Sequence, residues 1–292
     1  MSSDPLSREE LRPAVEVSAG PPDGIVLYDK PAGITSHDVV ARMRHALGPW
    51  PAAARRVKVG HAGTLDPFAT GLLLILIGRA TRVQRFLMAL RKLYEATARF
   101  GAVSCTGDPE GPITVTGVVP EGDLILPTGV VRQRPPAFSA VRTGGRRAYA
   151  LARAGEEVEL AEREVEVYRF EERWRDRDRR GFTIECSSGT YVRSLIADLG
   201  DAYCEELRRT AIGPFEVSDA APDRIVGLDD ALSFIPEVRL DADQARRASH
   251  GAAVPGDAHG ADVVRLTDED GLIALATPRG EGVLGPVVGL RG

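Results

Sequence analysis

A chain of 292 residues with 37 Lys and Arg against 42 Asp and Glu carries a net charge of −5 and a pI near 5.7. Taken alone, that balance argues against a nucleic-acid binder, whose phosphate contacts normally leave a basic footprint. Ordinary hydrophobic and charged fractions exclude a disordered or collagen-like chain, and the longest uncharged apolar run, 72–77, is too short to span a bilayer.

The elements follow in order. Residues 1–23 are polar at the start and expected to be disordered or extended. GIVLY at 24–28 reads as a strand leading into the turn DKPAG, and Ser36 is placed to cap a helix with Val39, Val40, Met43 and Leu47 on one face, closed by Gly48. A loop, GHAGTLDPFATG at 60–71, precedes LLLILI, a strand expected to be buried on both faces and ended by Gly78. RATRVQRFLMAL predicts a helix with Val83, Phe86, Leu87 and Leu90 on one side. KLYEATARF alternates as a strand, with Tyr94, Ala96, Ala98 and Phe100 on one face. Residues 104–130, rich in Gly, Pro, Asp and Thr, predict a loop or short hairpins, and RRAYALARAGEEVE at 146–159 a short helix. EVEVYRFE and GFTIECSS read as antiparallel strands joined by the charged turn WRDRDRR. YVRSLIADLG predicts an amphipathic helix with Val192, Leu195, Ile196 and Leu199 inward. From residue 236 the pattern changes to the short strands EVRL, DVVRLT, GLIALAT and VLGPVVGL.

The total charge hides a segregation. Residues 41–92 hold ten basic residues and a single acid, Asp66, and residues 132–153 hold six Arg and no acid. These stretches carry +9 and +6, leaving −20 on the rest. A lone carboxylate in cationic surroundings should stay ionised with a lowered pKa, which suits a nucleophile. The cysteines Cys105, Cys186 and Cys204 form no C-x-x-C pair, so a reduced cytoplasmic protein without a structural zinc site is expected. GEGVLG at 280–285 matches a dinucleotide fingerprint, but only seven residues follow it, too few for the helix and strand such a site needs.

Several of these residues have plainer readings. Asp66-Pro67 matches an N-cap followed by proline, a common helix opening. His61 can be a loop histidine, Tyr94 a core residue and Arg193 a surface charge. Their combination decides otherwise. GHAGTLDPFATGLL, with DKPAGITSHDVV upstream and KLYEATARFG, RPPAFSAVRTGGRRAYALARAGEEVE and GTYVRSLIADLG downstream, resembles bacterial TruB-type tRNA pseudouridine synthases, from about residue 24 to 215.

That resemblance implies an α+β fold: a mixed, mostly antiparallel central sheet with flanking helices over 24–235, then a small β-rich PUA-like RNA-binding domain over 236–292. On matching positions it implies that Asp66 is the catalytic aspartate, paired with Arg193. His61 would admit or hold the flipped nucleotide, Tyr94 would stack on the base, and Tyr191 and Leu207 would line its pocket. The chain is shorter than the family pattern between Leu199 and Leu207 and between Leu124 and Gln133. The implied reaction converts a T-loop uridine of tRNA, at position 55, to pseudouridine. It breaks the N1–C1′ bond, turns the base and rejoins C5 to C1′, so it needs no cofactor or metal. The carboxylate can act on C1′, on C6 or on the C2′ proton. The tRNA T-stem-loop is the expected partner, of a monomer with no obligate protein partner and no membrane. A uracil-releasing glycosylase and a non-catalytic RNA-binding or tRNA-chaperone protein are the alternatives.

Overall fold

The computed structural model describes residues 23–48, 57–136, 138–139, 142–143, 145–147 and 160–291. The first 22 residues, and 148–159 of the helix expected at 146–159, lie outside the described residues.

The larger sheet is built around β3 (Thr70–Ile77), the LLLILI strand. β1 (Gly24–Lys30) runs antiparallel along one side of it. The other side is shared by β2 (Val59–His61), antiparallel at its end, and β12 (Ala202–Ile212), parallel at its start. From β12 the sheet continues antiparallel through β4 (Lys92–Phe100), β11 (Arg179–Cys186), β10 (Arg163–Asp176) and the edge strand β7 (Gly129–Gln133). It is therefore mixed and mostly antiparallel, as expected. Gly71, at φ +101°, permits the crossing of β3 and β12: a Cβ there would stand 2.2 Å from the Arg209 carbonyl oxygen.

Both faces of β3 are covered. Helix α1 (Ser36–Leu47) sets Val39, Val40 and Met43 against Leu73, Ile75 and Ile77. On the other face Leu72, Leu74 and Leu76 meet Val83 and Leu87, at the start and within α2 (Gln84–Ala89). Further along the sheet, Tyr94, Ala96, Ala98 and Phe100 pack with Val192, Leu195 and Ile196, which begin and line α3 (Val192–Ala197).

Local chemistry shifts several boundaries. Thr35, not Ser36, is the N-cap of α1: its hydroxyl accepts from the Asp38 amide while the Asp38 carboxylate accepts from the Thr35 amide. The first half of the 78–89 helix is 3₁₀. The β10–β11 turn is only Arg177-Asp178, with Arg177 at φ 52°, and the flanking charged residues continue the strands. Residues 102–115 form the hairpin β5 (Ala102–Ser104) with β6 (Ile113–Val115). Arg146–Arg147, expected to open a helix, instead form β9, paired with β8 (Arg142–Thr143).

Residues 237–289 form a second, five-stranded sheet in the order β14 (Glu237–Arg239), β16 (Val264–Asp268), β17 (Gly271–Pro278), β18 (Val283–Gly289) and β15 (Val254–Pro255). A helix after β14, Ala242–Ser249, was not evident from the strand pattern; Asp241 and Gln244 form its capping box, and Ala245 and Ala248 are its buried face. This lobe shares a core with the larger one, since Leu275 and Leu290 pack in the cluster that holds Leu72 and Leu74.

Candidate active site

The loop 62–69 between β2 and β3 carries Asp66 and opens no helix. Asp66 closes a single turn, accepting from the Ala69 amide at 3.1 Å, and β3 begins one residue later. Upstream residues pin this loop. The buried Ser36 hydroxyl accepts from the Leu65 amide at 2.8 Å and donates to its carbonyl at 3.1 Å. The Gly33 amide reaches the Pro67 carbonyl at 2.9 Å. Lys30, fully buried, donates to the carbonyls of Pro31, Ile34 and Pro67. From β12, Arg209 donates to Gly63 and Leu72 carbonyls. Asp66 is thus presented by a loop pinned from two separate segments, residues 30–36 and β12.

Behind Asp66 stands Arg193, in the first turn of α3 and only 4 % exposed. Its Nε lies 3.3 Å from Asp66 Oδ2, a charge contact without hydrogen-bond geometry. Directed bonds go elsewhere: Nη1 to Asp108 Oδ2 at 2.8 Å and to the Thr106 carbonyl, Nη2 to the Phe138 carbonyl at 2.5 Å. Asp108 is itself buried, and its other oxygen accepts from the Thr106 hydroxyl and the Glu110 amide. One guanidinium therefore serves two carboxylates. Burial raises the Asp66 pKa above the ordinary Asp value, and Asp108 adds to that, against the lowering by Arg193. This corrects the lowered value expected from the local charge count.

Asp66, still 27 % exposed, opens on a cavity of about 230 Å³. Tyr94 from β4, Tyr191 and Arg193 at the start of α3, and Leu207 from β12 line the same cavity. Tyr191 is fixed by a reciprocal pair of 2.8 Å bonds between its backbone and the Gln133 side chain. Despite the shortened approach after Leu199, β12 begins at Ala202 and still delivers Leu207, opposite Ala96 of β4. His61 is placed otherwise. It ends β2 outside the lining of the cavity, its carbonyl accepts from the Gln84 side chain, and its Nδ1 is buried without a partner. Burial, with Arg209 and His37 nearby, lowers its pKa.

Comparisons with known proteins place the chain in a family. The model of the TruB family pseudouridylate synthase (N terminal domain) matches residues 52–192. A tRNA pseudouridine synthase B of Thermobifida fusca is 41 % identical, over 92 % of this chain and 99 % of its own length. The chain belongs to the TruB family of pseudouridine synthases. A second family member, the tRNA pseudouridine synthase B of Nocardia farcinica, is 45 % identical over 78 % of this chain and 75 % of its own. Among solved structures, a Cbf5–Nop10–Gar1 complex matches with a TM-score of 0.65 and 27 % identity, covering 92 % of this chain and 84 % of that one.

Within this family frame, four residues that the motifs did not single out complete the site: Lys30, Lys92, Asp108 and Arg209. Lys30 sits inside the DKPAG turn and Asp108 in the loop-rich stretch 104–130, and only burial and pairing mark them as part of the site. Lys92 lines the cavity two residues before Tyr94 and donates to the Met88 and Leu90 carbonyls at the end of α2. Among the described residues no group of three His, Cys, Asp or Glu side chains is placed to hold a metal ion.

Proposed function

We propose that this pseudouridine synthase isomerises the T-loop uridine at position 55 of tRNA, with Asp66 as nucleophile after the base has flipped into the cavity. The observation that carries the reading is the Asp66 carboxylate, held by a pinned loop and backed by Arg193, facing a cavity lined by Tyr94, Tyr191 and Leu207. Unstacking the target costs a few kcal/mol. Stacking on Tyr94 returns about 1–3 kcal/mol of that. The names of the T. fusca and N. farcinica relatives support tRNA as the substrate, and the resemblance of the motifs supports the T loop. His61, outside the cavity lining, would act at the entry of the nucleotide rather than on the seated base. The lobe at 236–292 would bind RNA as a PUA-like domain, and the chain would act as a monomer without a protein partner.

The reaction conserves mass. The N1–C1′ bond breaks, a C5–C1′ bond forms, the C5 proton leaves and N1 gains one. Incubation with unmodified tRNA transcript, followed by site-resolved pseudouridine mapping and mass measurement, is expected to show one new pseudouridine in the T loop and unchanged RNA mass. Loss of a base would establish a glycosylase, and binding without change a non-catalytic RNA-binding protein. Asp66→Asn should bind tRNA nearly as the parent does and form no pseudouridine; substantial turnover by that variant overturns the assignment.

A further inference from the structure

Four cationic side chains line the cavity, and three are each tied to at least two acceptors. Arg193 serves Asp66 and Asp108, Arg209 holds the Gly63 and Leu72 carbonyls, and Lys92 caps α2. The fourth is Arg163, the first residue of β10. Its backbone is anchored opposite Gln133 of β7, the residue that also fixes Tyr191. Its guanidinium carbon lies 4.8 Å from the centre of the Tyr191 ring, and one Nη donates to the Gly189 carbonyl. Its Nε is buried and makes no hydrogen bond, and among the described residues no carboxylate pairs with it.

A guanidinium without a carboxylate partner in such a cavity loses solvation that one carbonyl and one aromatic face only partly replace. The chemistry of the substrate supplies the partner. A nucleotide that presents its base and C1′ to Asp66 must bring its flanking phosphates toward a site that already holds Asp66 and Asp108. Those like charges repel unless a cation stands at the phosphate, and the fork of an arginine matches phosphate oxygens. We propose that Arg163 binds a backbone phosphate of the substrate RNA next to the flipped nucleotide. This rests on the RNA-modifying reading above. The Ser187–Thr190 loop lines the same part of the cavity, and the Ser188 and Gly189 amides donate to no backbone carbonyl among the described residues, so they are free to add donors to the same anion.

The competing role is structural: Arg163 as a clamp on Tyr191 and Gly189 only. Salt dependence separates the two. The Kd for tRNA and steady-state pseudouridine formation are measured between 50 and 300 mM salt for the parent, Arg163→Met, which keeps an apolar stem against Tyr191, and Arg163→Lys. Arg163→Met should weaken binding about tenfold at low salt and reduce the slope of log Kd against log salt by about one phosphate contact. At saturating RNA its kcat should fall less than KM rises, and Arg163→Lys should restore the slope but only part of the affinity. An unchanged slope in a folded Arg163→Met protein overturns the proposal, as does a loss confined to kcat. A parent protein that neither binds nor modifies tRNA would overturn the functional reading itself, a distinct result.

Discussion

A carboxylate that shares its guanidinium with a second carboxylate is harder to ionise than one that holds it alone. Counting charges along 41–92 isolates Asp66 as the single acid among ten bases, and from that count a low pKa follows. The fold brings Asp108 and Glu110 to the same place from a different segment and buries Asp66 against them. Sign and consequence both change. If Asp66 is the nucleophile, as proposed, it must be anionic to attack, so its raised pKa means that protonation on lowering the pH removes activity earlier than it would for an ordinary Asp. The acidic limb of the kcat/KM profile should therefore sit above the usual carboxylate range, and an inflection at or below the free-Asp value would contradict this assignment. Linkage carries the same sign. The native state holds the Asp66 proton more tightly than the unfolded chain, so the ionised carboxylate costs stability at neutral pH. Asp66→Asn should then be no less stable than the parent at pH 7, as read by urea denaturation.

At the scale of elements, α3 is six residues long, too short to stand alone, and it faces the sheet with an arginine as well as with Val192, Leu195 and Ile196. What makes that burial tolerable is Asp108, two hydrogen-bonded carbonyls and the turn after β5. Asp108→Ala leaves half of a buried ion pair and should cost about 3–5 kcal/mol in denaturant titrations. A loss under about 1 kcal/mol would mean that Asp66 and the Thr106 and Phe138 carbonyls satisfy Arg193 without Asp108. The same scale shows which elements could be read from the sequence. The β3 core strand, the alternation of β4 and the face of α1 were all legible, because a period of 2 or 3.6 in apolar residues has one stable solution. Caps and turns were less so: Thr35 and Ser36 offer the same hydroxyl, and only the return bond from Asp38 selects Thr35. Asp66-Pro67 has the chemistry of a helix start, yet the ties to Ser36, Gly33, Lys30 and Arg209 hold it as a loop. The residues named by motif resemblance, Asp66, Tyr94, Tyr191, Arg193 and Leu207, line one cavity in the fold. Asp108 and Lys30 were not recoverable, since their partners are distant in sequence and polar burial leaves no periodic trace.

For the whole molecule, the distribution of charge proved more informative than the total, though not all of the basic stretch faces outward. Arg79 and Arg82 tie the two lobes together, donating to the Leu290 and Gly289 carbonyls, and two of the three lysines are buried. Lys30 and Lys92 both have pKa values lowered by burial from 10.5 to about 8. Between those limits the unfolded chain keeps protons that the native chain has released, so stability rises with pH. From pH 8 to 9 each lysine contributes about 1 kcal/mol, about 2 kcal/mol together. From about pH 8 the thiols begin to oppose them, and above 9 they do so almost fully. Burial raises Cys186 from 9 to about 11 and Cys204 further still, and there the native chain holds protons that the unfolded one gives up. Stability should therefore climb between pH 8 and 9 and flatten beyond. Urea titrations under reducing conditions at pH 7, 8, 9 and 10 test this, and Lys92→Met should roughly halve the rise. A curve that is level or falling from pH 8 to 9 would show that the buried lysines keep their ordinary affinity for the proton.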